Sequence, residues 1–241
     1  MNCLVLEKYP PFLPPENYSL ISSVPDDGFY LREIDGIWHL FFAQQELLHL
    51  DFASAFYRAR GGVEYLPKAF KNCERIFDAT AGFGRDSWLL AYRGKNILLC
   101  ERNPYLATLL LQAKFLSERQ EKILAVGRRI EIIFADSREY LSRKIATNFD
   151  AIYLDPMYPE KKKNAAVKKE MQILHRLLGV PDLAEQERLF FAAIESGVEK
   201  IVVKRPSYAC ELSAKMPENY RLNHTVNAVN TRYLVYMRNL I

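Results

Sequence analysis

"RIFDATAGFGRDSWLLAYRG", Arg75–Gly94, decides how this chain folds. A short apolar run closes in Asp78, glycines follow at 82 and 84, and helix-forming residues begin at Arg85. Glycine lets a backbone pass close to a ligand, and a helix starting just beyond aims its free amides at that ligand. The pattern is the strand–turn–helix opening of a nucleotide-binding α/β fold. Gly-x-Gly-x-x-Gly fails at its third position, which is Ser87. Asp78 before the glycines suits an amino group, of the kind methionine carries, better than a pyrophosphate. A plain strand-to-helix turn stays open as the simpler reading.

Outward from this stretch the same grammar repeats. "NILLCE", "IEIIFAD", "DAIYLDP" and "KIVVKRP" are short apolar runs that each end in a polar residue. Segments such as "YLATLLLQAKFLSERQ" have helical composition and lie between them. Continuous apolar strands alternating with helices indicate a parallel sheet covered on both faces. "YRLNHTVNAVNTRYLVYMR" adds two strands turning at Asn227 to Asn230, for a mostly parallel, Rossmann-like sheet of seven strands. Upstream, Asp35-Gly36 in "FYLREIDGIWHLFF" predicts a hairpin over Phe29–Phe42. The proline-rich start is expected to be irregular. "ELLHLDFASAFYRARGG" is expected to hold a short helix ending near Gly61-Gly62. The expected division is a small N-terminal α+β subdomain at 1–70 and the Rossmann-like domain at 71–241.

The 241 residues suffice for a sizeable core, and 49% hydrophobic with 26% charged residues is ordinary for a globular chain. A net charge of +4 permits a polyanionic partner without requiring one, so the clustering of charge matters more. Cys3, Cys73, Cys100 and Cys210 form no Cys-x-x-Cys pair and suit reduced thiols of a cytoplasmic protein. His39, His49, His175 and His224 show no metal-ligand spacing, so no metal is expected. No apolar run approaches the roughly 20 residues that span a bilayer, and the first residues do not resemble a secretory signal.

In an open parallel sheet, ligands bind beyond the carboxyl ends of the strands. Glu101 closes "NILLCE" about 20 residues past the glycine turn, placed to accept both hydroxyls of a ribose, with Arg102 beside it. Asp136 and Ser137 close the next strand, where they can bind an adenine amino group, cap the following helix, or do both. Glycine turn, ribose acid and adenine acid on successive strands describe a site for S-adenosylmethionine. A dehydrogenase would share the first two, and the fourth strand end separates the readings. "LDPMY", Leu154–Tyr158, resembles the Asp/Asn-Pro-Pro-Tyr/Phe turn of methyltransferases that act on exocyclic amines of bases. Such an amine has a delocalised lone pair. Asp155 and carbonyls fixed by Pro156 can accept its hydrogens and turn the lone pair toward a methyl donor, while Tyr158 stacks on the base.

"DATAGFGRD", "DPMYP" leading into "AAVKKEM", and "VVKRPSYA" together resemble the bacterial small-subunit ribosomal RNA methyltransferase J family. The resemblance extends over most of the chain. It implies a class I S-adenosylmethionine-dependent methyltransferase acting on a guanine N2 of 16S RNA, free or within the small ribosomal subunit. It also implies cofactor contacts at Arg85, Asp86, Glu101, Arg102, Asp136, Ser137 and Asp155. Lys161, Lys162, Lys163, Lys168 and Lys169 begin just past the turn, where an RNA backbone would pass, and Lys204 and Arg205 close the fifth strand on the same edge. A solvated helix face is the simpler explanation of that run. The expectation is RNA contact, with Arg58 and Arg60 as weaker candidates. The remaining alternatives are an amino methyltransferase acting on DNA adenine or another RNA, and a non-catalytic RNA-binding module of the same fold.

Overall fold

The computed structural model describes residues 3–13, 17–54, 57, 65–143, 148–158, 169–179, 182–209 and 216–239, with only the backbone described at 3 and 169–171. Two sheets organise these residues. The first is built from β1 (Cys3–Leu6), β2 (Tyr18–Ile21), β3 (Phe29–Ile34), β4 (Ile37–Phe42) and β5 (Gln45–Leu48), ordered β2-β1-β3-β4-β5. The predicted hairpin is β3–β4. Its turn residues Asp35 and Gly36 have φ of 51° and 82°, which fits a twisted two-residue connection.

Two expectations for this region are corrected. The proline-rich start is not irregular throughout, because β1 pairs in parallel with both β2 and β3, and Pro10 and Pro11 fall in the connection between β1 and β2. "QELL" is β5, an antiparallel partner of β4, rather than the start of a helix. Residues 55–56 and 58–64, which include Arg58, Arg60 and the glycine pair, lie outside the described residues. Both errors share a cause: these strands are four residues each, and distant pairing decides them rather than local propensity. The irregular β4–β5 register also brings together two histidines that stand apart in sequence. His39 and His49 have ring centroids 4.4 Å apart, and His39 Nδ1 lies 2.7 Å from Glu46 Oε1.

Helix α1 (Tyr65–Ala69) leads into the second sheet. That sheet comprises β6 (Arg75–Asp78), β7 (Asn96–Glu101), β8 (Ile130–Phe134), β9 (Ala151–Leu154), β10 (Lys200–Pro206), β11 (Tyr220–Asn227) and β12 (Thr231–Arg238). Its order is β11-β12-β10-β9-β6-β7-β8, and β12 runs antiparallel to its neighbours while the other described pairings are parallel. The intervening helices are α2 (Arg85–Tyr92), α3 (Pro104–Ser117), α4 (Leu124–Gly127), α5 (Ser137–Ser142), α6 (Lys169–Leu178) and α7 (Leu183–Glu195). All four residues of β9 are buried, which explains why that strand is continuously apolar rather than alternating. From β6 the chain steps outward to β7 and β8, then crosses back to β9 on the other side of β6. The crevice at the ends of β6 and β9 is therefore a topological switch point.

The two sheets share one apolar core. Val5, Leu31, Trp38 and Leu40 of the first pack in the same cluster as Leu109, Leu110 and Ala113 of α3. Gln112 stitches them: the Trp38 amide donates to its Oε1 at 2.5 Å, and its Nε2 donates to the Trp38 carbonyl at 2.9 Å. The Tyr18 hydroxyl lies 3.0 Å from Thr108 Oγ1, and the Tyr105 hydroxyl donates to the Phe29 carbonyl at 2.8 Å.

Candidate active site

The glycine turn is shaped from beneath and from beside. Gly84 has φ of 69°, and a Cβ there would lie 2.7 Å from Leu110 Cδ2, so any larger residue is excluded on two grounds. It forms the N-cap of α2 in the left-handed region, without a side-chain cap on the first helical amides. Gly82, at φ 54°, donates its amide to Glu101 Oε2 at 3.0 Å. The Tyr57 hydroxyl donates to the Phe83 carbonyl at 2.6 Å, and Phe52 stacks on Trp88 of α2 with centroids 4.5 Å apart. Residues before α1 thus hold the turn in place.

Asp78 lies under this turn, 2% exposed. Its Oδ1 accepts the Thr80 amide at 3.0 Å and its Oδ2 accepts the Ser87 hydroxyl at 2.5 Å. Burial pushes its pKa up to about 6 against the pull of these bonds. The carboxylate expected to meet an amino group therefore spends its oxygens on the turn itself. Glu101 is also buried, and its Oε1 accepts the Asn103 amide at 2.7 Å. Burial lifts its pKa to about 7.

Asp155 and Asp86 meet across the switch point through one ammonium. Lys204 Nζ donates to Asp86 Oδ2 at 2.7 Å and to Asp155 Oδ2 at 2.8 Å. The Tyr153 hydroxyl donates to the same Asp86 oxygen at 2.5 Å. Burial works against both carboxylates. For Asp86 the nearby Lys204 wins and the pKa falls, while for Asp155 burial prevails and the pKa is raised. The backbone of Asp155 donates to Thr80 Oγ1 at 2.7 Å, so the β6 and β9 ends are joined directly. From α7, Gln186 Nε2 donates to the Met157 carbonyl at 2.6 Å, fixing the "DPMY" turn from its far side. Thr80, Tyr153, Gln186 and Tyr57 escaped the sequence reading. The threonine following Asp78 by two and the tyrosine preceding Asp155 by two were the available signals.

The other expected residues divide. The Ser137 hydroxyl donates to the Ala79 carbonyl at 2.6 Å, tying the β8 end to the β6 end. Asp136 caps α5 through the Arg138 amide and also pairs with the Arg138 guanidinium at 2.9 Å. Arg102 pairs with Glu185 at the start of α7. Arg85 opens α2 beside Asp86. Lys204 and Arg205, both expected to face RNA, turn elsewhere. Neighbouring strand residues point to opposite faces, so Lys204 joins the acids while Arg205, 6% exposed, lies over the Tyr158 ring at 4.8 Å. Lys161, Lys162, Lys163 and Lys168 lie outside the described residues, as does the Lys169 side chain at the start of α6.

The donor chemistry fits a cationic nucleoside. Asp86 and Asp155 share one half-buried ammonium, with Asp78 and Glu101 buried at neighbouring strand ends, a balance that favours a ligand with positive charge and hydroxyl donors.

A family model described as "Putative SAM-dependent methyltransferase" matches residues 41–238. The ribosomal RNA small subunit methyltransferase J of Neisseria meningitidis serogroup C is 32% identical over 225 residues, 90% of this chain and 87% of that relative. The chain belongs to the ribosomal RNA small subunit methyltransferase J family. The Hydrogenovibrio crunogenus member is 42% identical over 164 residues, 67% of this chain and 56% of that relative. A solved S-adenosylmethionine-dependent methyltransferase from Neisseria gonorrhoeae superposes with a TM-score of 0.73 at 25% identity, covering 98% of this chain and 96% of that one. The family's cofactor is S-adenosylmethionine, and the fold is the Rossmann-like methyltransferase fold expected from the strand ends.

Proposed function

We propose that this family member methylates a guanine N2 amine of 16S RNA in the small ribosomal subunit. The observation that carries the reading is the "DPMY" turn at the switch point, held by Thr80, Lys204 and Gln186. Bound S-adenosylmethionine supplies a methyl group on cationic sulfur and leaves as a neutral thioether. Asp86 would hold its amino-acid end and Glu101 its ribose, with Ser137 and Asp136 at the base. The chain's own residues do the rest by positioning. Asp155 and the carbonyls of the turn accept the amine hydrogens, which directs the nitrogen lone pair away from the ring. As the new N–C bond forms, the surplus N–H proton passes to the Asp155 carboxylate. Tyr158 would stack on the target base, with Arg205 backing its ring. The lysine run from 161 to 169 would follow the RNA backbone, and the reaction belongs in the cytoplasm.

Labelled cofactor and small subunits lacking the modification test this reading: label should enter the RNA and appear as N2-methylguanosine on nucleoside analysis. Label in an adenine amine would instead support the second base that such a turn accepts. Intact cofactor binding without any transfer would favour the non-catalytic module.

A further inference from the structure

Lys204 is the side chain whose placement departs furthest from its expected role. It was expected at the RNA face, yet its side chain is only 25% exposed and its ammonium bridges two carboxylates of the reaction crevice. The strand pairing makes this placement obligatory: Val203 of β10 registers with Leu154 of β9, so the next residues, Lys204 and Asp155, leave the sheet side by side. Asp86 enters from the first turn of α2 as the second anchor.

We infer that Lys204 is a positioning residue that orients Asp155 to receive the amine hydrogens and supplies its counter-charge, its ammonium steadied by Asp86. The inference rests on the assignment of Asp155 as acceptor in the proposed function. Three considerations support it. First, a half-buried carboxylate such as Asp155 is harder to ionise without a counter-charge, and once protonated it would have neither the acceptor capacity nor the basicity the amine needs. Second, among the described residues the other groups around Asp155 do not supply that charge: Asp78 and Asp86 are acids that oppose its ionisation, and Tyr153, Tyr158 and Tyr233 are phenols whose own pKa values are raised by burial. Arg85 stabilises the charge of Asp86. Third, the ammonium is itself kept charged, because the two acids outweigh the burial that would otherwise neutralise it. An ammonium spent on two acids inside the crevice is poorly placed to neutralise a phosphate.

Carboxyl NMR of the full chain labelled with 13C-aspartate tests the inference without any substrate, with Asp155→Asn assigning the resonance. Lys204→Met should raise the Asp155 titration midpoint by at least one pH unit, a tenfold change in proton affinity, while Lys204→Arg stays close to wild type. If Lys204→Met does not fold, Asp86→Asn provides the second measurement: with the ammonium left to Asp155 alone, that midpoint should fall. In labelled-transfer assays the acid limb of kcat should move with the Lys204→Met midpoint, and the KM for RNA should stay within twofold. An unchanged Asp155 midpoint in Lys204→Met, or a rise in that midpoint in Asp86→Asn, overturns the inference. So does an RNA KM that rises many-fold with kcat unchanged, which would return Lys204 to the phosphates. A wild-type chain that transfers no label defeats the substrate assignment alone, since the carboxyl titration still decides the role of Lys204.

Discussion

Glu101 accepts two backbone amides, yet burial still sets its pKa at about 7. An acid raised in the folded chain binds more protons there than when unfolded. Its effect on stability is therefore favourable at low pH and is lost as pH rises from its ordinary 4.5 to about 7. Glu101→Gln should then raise stability at pH 8 by up to about 3 kcal/mol, at ~1.4 kcal/mol per pKa unit, with a higher thermal midpoint there and little change at pH 4. Melting curves at the two pH values check this, and a gain confined to pH 4 would contradict it. The same variant should bind S-adenosylmethionine roughly 10- to 100-fold more weakly in a calorimetric titration at pH 8, because charged acceptors bind hydroxyls by about 1.5–3 kcal/mol. Glycines give a second comparison. Gly84→Ala combines a left-handed φ with a clash against Leu110, whereas Gly94→Ala meets nothing within 4 Å at φ 87°. Urea unfolding should place Gly94→Ala about 1–2 kcal/mol below wild type and Gly84→Ala lower still.

Among the described residues, helix α7 reaches the crevice through Gln186 and the Arg102–Glu185 pair. Gln186 is buried, so Gln186→Leu preserves much of the packing while releasing the Met157 carbonyl. The expected outcome is a 5- to 50-fold fall in kcat for labelled transfer, about 1–2 kcal/mol at the transition state, with cofactor affinity unchanged. Equal losses in both would mean that α7 supports the cofactor rather than the turn. Elements of this kind were unequally legible in the sequence. The β6–β10 runs announced themselves because a strand such as β9, buried at every position, is continuously apolar, and a polar residue stands at or near the end of each run. The strands β1, β2 and β5 did not, because isolated four-residue segments become strands only when a distant edge accepts them. Gln186 had no sequence signal: it is one glutamine in a charged helix, and only the crossing of α7 past residue 157 makes it matter.

At the scale of the whole molecule, one face of the first sheet has no separate interior, since its buried side chains continue into α3, while Leu6, Tyr30 and Phe41 form a small cluster of their own. A chain shortened to residues 71–241 would expose that face and lose Tyr57 and Phe52 from the glycine turn. It should be recovered as an aggregate, or melt far below the full chain with little cofactor affinity. A shortened chain of full-length stability would show the two parts to be independent. The strand-end acids Asp78, Glu101 and Asp155 could be located from the sequence alone because the fold repeats one geometric rule. The fate of Lys204 and Arg205 could not, because adjacent basic residues look alike until the sheet assigns them to opposite faces.

Gln112 bears on how the chain is made as well as on how it stands. Trp38 and Gln112 are 74 residues apart, so β4 leaves the ribosome well before its partner is synthesised. At about 5–20 residues per second the interval is on the order of 4–15 s. Through that interval the nascent hairpin presents the Trp38 backbone and the Leu40 face without α3 to cover them. An enzyme that we propose modifies small ribosomal subunits thus passes its own most vulnerable seconds as a half-formed sheet at the ribosomal exit.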